Sequence, residues 1–423
     1  MNNKKINLIA ADMGYGHQRA AYPLSDLAAG EILNLNNYEG IPVWEKEYWI
    51  GHLKSYEKIS RFKKIPLLGP VVFSVMDYFQ RIRPLYPFRD LSRSTFQQKY
   101  FYTFIKKGLG KDLVEKLNEE KLPFVTTFFV AAQAADYHNY QGEIYCVVCD
   151  TDASRAWAPL NPKNSKIKYL LPSEKLKKRF LMYGLSEENL IITGFPLPKE
   201  NIGSEKEILK ADLLSRIKNL DPQKKYQTEY AGILDDEFLN IERKPERPLA
   251  ITFAVGGAGA QKEIGTTIIA KLSEQIKNKN LVVNLIAGNR PEVRDYFLEE
   301  IKKLEIKEGV NVIFNPDKIE YFKQFNQVLR ETDILWTKPS ELSFYCALGL
   351  PIMISSPVGS QEDFNREWLI SVGGGVDSPS PEFVDQWLPP MLSSGRLARA
   401  AMDGYLNAEQ MGTYNIEKYF YKK

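Results

Sequence analysis

Only three cysteines (Cys146, Cys149 and Cys346) occur in 423 residues, so no disulfide framework can form and a reducing compartment is expected. Cys146 and Cys149 make a C-x-x-C, but inside the apolar run Ile144 to Cys149, with no second cysteine pair or histidine pair nearby. They read as buried thiols in a strand, and no metal site is expected. No run approaches the roughly 18 apolar residues of a membrane-spanning helix. The longest, Ile65 to Met76 and Phe124 to Ala135, are broken by Pro and Gly or by Thr and Gln. The apolar stretch after Met-Asn-Asn-Lys-Lys is too short for a secretory core. The expected location is cytoplasmic, or peripheral on the inner face of a membrane. Net charge is also small, +3, which argues against a nucleic-acid partner.

What is present is uneven. Between Gly51 and Gly110 there are 12 Lys or Arg against 3 Asp or Glu, and 12 of the 51 aromatic residues. That local excess of +9 leaves −6 for the remainder and points to a partner for the segment. Arg61 to Leu68 and Arg81 to Arg89 interleave basic and bulky apolar side chains, a pattern suited to an anionic membrane surface or a lipid acceptor.

The rest reads as α/β. Near-continuous hydrophobic strands are expected at Ile6–Ala11, Phe124–Val130, Glu143–Cys149, Lys166–Leu171 and Leu190–Thr193. A second series covers Leu249–Val255, Leu281–Ala287, Val310–Phe314, Asp333–Trp336 and Pro351–Ser355. Strands of this kind alternating with helices predict parallel sheets covered on both faces. The expected division is a Rossmann-like domain over 1–198, a polar helical linker over 199–247, and a second Rossmann-like domain over 248–400. A C-terminal helix over 401–423 is expected to cross back to the first domain. After Gly375 the chain reads as helical to its end.

Three loops carry candidate chemistry. The first strand runs into Asp12-Met13-Gly14-Tyr15-Gly16-His17, where glycines permit close ligand approach and His17 can serve as a base. The turn lacks the full dinucleotide fingerprint G-x-G-x-x-G. Asp150 and Asp152 follow another strand of the same half and are alternative bases. The second half opens with Gly256-Gly257-Ala258-Gly259-Ala260-Gln261, suited to a diphosphate. Gly288 and Phe314, at the ends of the next two strands, belong to the same edge. So do Lys338 and Glu341, and then Gln361, Glu362 and Asn365.

Taken in order, Gly-x-Gly-His, then Gly-Gly-x-Gly, then Ala-x-Gly-Leu-Pro followed by Gln-Glu-x-x-Asn resembles glycosyltransferase family 28. The diacylglycerol branch is nearer: its Asp-Thr-Gly-Gly-Gly-His is similar to Asp12–His17, and its Thr-Asp with a downstream Trp is similar to Cys149-Asp150 with Trp157. The resemblance implies a GT-B fold, two Rossmann-like domains with parallel sheets facing across a cleft. It implies a UDP-sugar as donor substrate, no cofactor and no metal. Carried over by position, His17 is the acceptor base or another acceptor-site residue, Gly14, Tyr15 and Gly16 form its loop, and Gly256, Gly257 and Gly259 cradle the diphosphate. Gln361, Glu362 and Asn365 then contact the donor sugar. Phe344 stands where the family has a ribose-binding Glu, with Glu341 three residues earlier, and Tyr15 replaces the middle glycine of the first loop.

The expected reaction is transfer of a hexose or N-acetylhexosamine from a UDP-sugar to an acceptor hydroxyl, with a lipid or lipid-linked acceptor expected from the basic and aromatic segment above. Rival readings are a GT-B UDP-sugar 2-epimerase and a non-catalytic nucleotide-sugar-binding subunit.

Overall fold

The computed structural model describes residues 5–51, 82–242, 244–256, 259, 261–356 and 360–421. Much of the basic segment, residues 52–81, therefore lies outside the described residues, as do Gly257, Ala258 and Ala260. Two compact units result. The first draws on Met1–Pro196, Gly359–Phe364 and Met411–Lys423, the second on Leu197–Val358 and Asn365–Gln410.

The first unit holds a six-stranded parallel sheet: β1 (Asn7–Ala10), β2 (Leu33–Asn34), β3 (Phe124–Thr126), β4 (Ile144–Val147), β5 (Ile167–Leu171) and β6 (Leu190–Ile192). Its order is β2-β1-β3-β4-β5-β6. The strands β1, β3 and β4 are wholly buried, as parallel strands covered by helices must be. One face packs Leu8, Ala10, Val125, Tyr145 and Val147 against Leu24 and Leu27, and against Ile416 and Phe420 of the last helix, Gly412–Tyr421. That helix is part of the first unit.

The second unit repeats the plan with β7 (Leu249–Ala254), β8 (Leu281–Gly288), β9 (Val310–Phe314), β10 (Ile334–Thr337), β11 (Ile352–Ile354) and β12 (Gly375–Asp377). Its order is β12-β11-β10-β7-β8-β9, again parallel throughout. This is the doubly wound order, and each sheet reverses its winding once. The reversals fall between β1 and β3 and between β7 and β10.

Three expectations are corrected. The run from Phe124 is strand only to Thr126; the alanines of Phe129–Tyr137 favour helix, and that helix is buried. The stretch after residue 199 is no mere polar linker. Its helix Glu207–Leu220 buries Leu209, Leu213, Ile217 and Leu220, and its Arg216 guanidinium donates to the carbonyls of Leu329, Thr332, Leu348 and Gly349. A guanidinium whose three nitrogens all donate can enter a core. Finally, Gly375–Asp377 is an edge strand paired with Ile352–Ile354, not helix.

Candidate functional site

In open parallel sheets the carboxyl ends flanking a reversal leave a crevice, because the two connections diverge to opposite faces. Here those ends belong to β1 and β3 in the first sheet, and to β7 and β10 in the second.

At the first reversal, β1 ends at Ala10 and the chain enters the Asp12–Gly16 turn. The Asn36 side chain brackets this turn, accepting from Asp12 N (2.8 Å) and donating to Asp12 O (2.9 Å). Gly14 has φ +111°, a conformation that an L side chain rarely adopts. The turn delivers His17 to the end of β3. There the imidazole Nδ1 lies 2.7 Å from Thr127 O, and the Thr127 hydroxyl donates to His17 O (2.8 Å). Cys149, just past β4, places Sγ 3.3 Å from the same Nδ1. Phe128 meets the imidazole edge-on at 4.8 Å, and Trp157 lies 6.3 Å away. His17 thus sits in an aromatic-walled corner fed by three strand ends.

The other first-half candidates separate. Tyr15 is 9% exposed and lies beside the Arg19 guanidinium, 5.8 Å from its ring centroid, so its ring packs into the protein. The helix after the turn has only six residues, Gly16–Ala21, too short for much of a macrodipole. The Gly14–Gly16 loop therefore serves to place His17 more than to hold a phosphate. Asp150 is half-buried beside Cys149. Asp152 is corrected outright. It is 0% exposed, its two oxygens take Arg179 Nε and Nη2 at 2.8 and 2.9 Å, and Oδ1 also accepts from Ala153 N. A carboxylate so engaged is a structural anion, not a base. Although burial works against its charge, the bond to Asp152 holds the Arg179 guanidinium above its ordinary range.

At the second reversal, β7 ends at Ala254 and Gly256 follows. A Cβ on Gly256 would lie 2.6 Å from Lys338 Cε, so the lysine after β10 lies directly over the glycine turn. Gly259 N closes the turn on Gly256 O at 2.7 Å. No side chain caps the helix Lys262–Lys271 that follows, and its first N–H groups favour an anion. Gln261 instead donates its amide to Ser356 O (3.1 Å), tying the turn to the loop after β11. Gly288 ends β8 opposite Phe314, whose ring lies 4.5 Å from the Arg294 guanidinium. Glu341 is half-buried at the start of the 3-10 helix Glu341–Leu348. Phe344, in that same helix, is core, with its ring 5.0 Å from Trp368.

The helix Ser360–Ser371 divides the last three candidates. Gln361 and Glu362 group with the first unit, and the Gln361 amide donates to Asp152 O at 3.0 Å. Asn365 is 1% exposed, so its amide is turned into protein. Among the described residues no group of three or more His, Cys, Asp or Glu could hold a metal ion. Two residues of the site, Thr127 and Cys149, were not expected there from sequence; the signal for Cys149 was its place two residues beyond β4.

A family profile described as a domain of unknown function (DUF6938) matches residues 232–308 and 294–418, less than half of the chain. The chain is 23% identical over 426 residues to a processive diacylglycerol β-glucosyltransferase of Staphylococcus carnosus, covering 99% of this chain and 91% of that protein. It is 20% identical over 388 residues to the enzyme of the same name from Bacillus subtilis, covering 88% and 83%. In structure it is similar to Acinetobacter baumannii MurG, with a TM-score of 0.50 and 11% identity over 99% and 100% of the two chains. The chain is a remote relative of the diacylglycerol glucosyltransferases of family 28, on a GT-B fold of two Rossmann-like α/β units.

Proposed function

We propose that the protein transfers a hexose or N-acetylhexosamine from a UDP-sugar to a hydroxyl of a lipid or lipid-linked acceptor. One observation carries this reading: each sheet reversal holds a different chemical tool. The first presents an imidazole, the second a glycine turn under a lysine. Transfer asks for those two tools, a base for the acceptor hydroxyl and a cradle for the departing diphosphate. His17 is the base. The donor contacts are Gly256, Gly257 and Gly259, with Lys338 adding positive charge and Glu341 offering a carboxylate to the sugar or ribose. No metal is required in this scheme, because N–H groups and Lys338 meet the charge of the leaving diphosphate.

The lipid side rests on the relatives and on the surface of the first unit. Phe96 and Tyr100 lie one turn apart on the helix Phe96–Lys106, 71% and 50% exposed. Tyr86 and Phe88, their rings 5.0 Å apart, are also exposed. Arg83, Arg89, Lys99 and Lys107 accompany them in sequence. Cations that hold anionic headgroups beside aromatics that enter the interface suit peripheral attachment. Among the described residues no helix is long and apolar enough to cross a membrane.

A thermal-shift panel of UDP- and GDP-sugars tests the donor, since a ligand of the native state raises Tm by mass action. UDP-sugars are expected to raise it and GDP-sugars to leave it unchanged; no response to any UDP-sugar defeats the reading. Flotation with vesicles tests the surface. Binding that needs anionic lipid and weakens with salt is expected, and equal binding to neutral vesicles contradicts it.

A further inference from the structure

We propose that Thr127 and Cys149 are positioning residues that hold His17 as its Nδ1–H tautomer, which makes Nε2 the nitrogen that takes the proton of the acceptor hydroxyl. The tautomer rests on geometry alone; the role of Nε2 rests on the transferase reading above.

A carbonyl oxygen only accepts. With Nδ1 at 2.7 Å from Thr127 O, the hydrogen must be on Nδ1, because a bare Nδ1 would set two lone pairs against each other at that distance. Cys149 completes a consistent arrangement. Its thiol donates toward Thr127 O at 3.8 Å, leaving a sulfur lone pair beside the Nδ1–H at 3.3 Å. The carbonyl is itself anchored. Thr127 N donates to Ile9 O (3.1 Å), the Thr127 hydroxyl donates to His17 O (2.8 Å), and the residue is 0% exposed. A neutral imidazole with its hydrogen on Nδ1 carries its basic lone pair on Nε2.

His138 gives the opposite case in the same unit. There Nε2 lies 3.2 Å from Leu109 O, which places the hydrogen on Nε2. The fold therefore selects opposite tautomers at the two described histidines, and only His17 stands at a sheet reversal.

In the transfer step Nε2 takes the acceptor proton while the acceptor oxygen forms a bond to the anomeric carbon. The bond from that carbon to the diphosphate oxygen breaks, and its electron pair leaves on UDP. The imidazolium so formed keeps its Nδ1–H on Thr127 O, whose negative end favours the new charge. The proton then passes from Nε2 to solvent, and atoms and charge balance.

The test is long-range ¹H–¹⁵N NMR of the full chain labelled at histidine, recorded where the imidazoles are neutral, with His17 assigned through His17→Gln. His17 is expected to show a protonated Nδ1 and an imine-type Nε2, and His138 the reverse. A protonated Nε2 at His17 overturns the proposal. Cys149→Val is expected to lower kcat about tenfold at unchanged donor KM and to admit the second tautomer, whereas Cys149→Ser, which still donates to Thr127 O, restores most of the rate. Wild-type kcat and tautomer in Cys149→Val remove Cys149 from the assignment. A chain with the expected NMR signature and no sugar transfer upholds the tautomer and overturns the role of Nε2.

Discussion

The two units share an architecture and differ in what their reversals hold. In the first, three strand ends converge on one imidazole, fixed through ring nitrogen, main chain and aromatic walls. In the second, a lysine covers a glycine turn, and the turn is tied back by an exposed hydrogen bond from the Gln261 amide. The first is built to hold one side chain in one orientation. The second leaves its main chain approachable. Base catalysis needs the former, because proton transfer is sensitive to small displacements, and diphosphate binding needs the latter.

The largest effect expected follows from breaking the first half alone. His17→Ala should lower kcat by about 10²- to 10⁴-fold while UDP-sugar thermal shifts stay as in the wild type. Loss of donor binding in that variant would erase the division of labour. Next comes the framework of the first half. Arg179→Met removes the bidentate partner of the buried Asp152 carboxylate, leaving it Ala153 N and the Lys175 ammonium at 3.4 Å, and should cost about 3 kcal/mol in urea unfolding; a loss under about 1 kcal/mol would mean that Asp152 is not the structural anion described here. The complementary break in the second half is Gly256→Ala. Its Cβ displaces Lys338, a flexible side chain, so donor KM should rise about tenfold with kcat much less affected. Unchanged KM would separate Lys338 from the donor.

The smallest effect sharpens the comparison of buried charge. Burial pushes the Glu45 carboxyl up to about 7, against a hydrogen bond from Gly110 N. Desolvation pulls the Arg216 guanidinium of the second unit only to about 10. Because Glu45 is raised above its ordinary value, its ionisation costs stability progressively from about pH 4.5 to about pH 7, and the full cost remains above that range. Glu45→Gln should therefore stabilise the protein at pH 8, on the order of 1–3 kcal/mol, and change little at pH 4. Equal stabilisation at both pH values would assign the gain to packing.

Most of the strands were legible because parallel strands buried on both faces spell continuous apolar runs, as at Ile144–Val147. The strands Leu33–Asn34 and Gly375–Asp377 were not. Two or three edge residues bury too little to leave a hydrophobic signature. The helix Glu207–Leu220 hid its core role because Arg216 enters the interior through carbonyl bonds that no local pattern foretells. The turns at His17 and Gly256 could be read from glycine placement at strand ends. Thr127 could not, since the β-branched and aromatic run of its strand continues to Val130. Nor could the engagement of Asp152, whose partner Arg179 lies 27 residues away.

The central claim is sugar transfer to a lipid hydroxyl, and acceptor-dependent UDP release measures it most directly. With UDP-glucose or UDP-N-acetylglucosamine and vesicles containing diacylglycerol, UDP is expected to appear in step with labelled glycolipid, and both should fall together in His17→Ala. UDP-sugar binding without UDP release under any of these acceptor conditions, or conversion of the sugar to its 2-epimer with no acceptor present, would contradict the account.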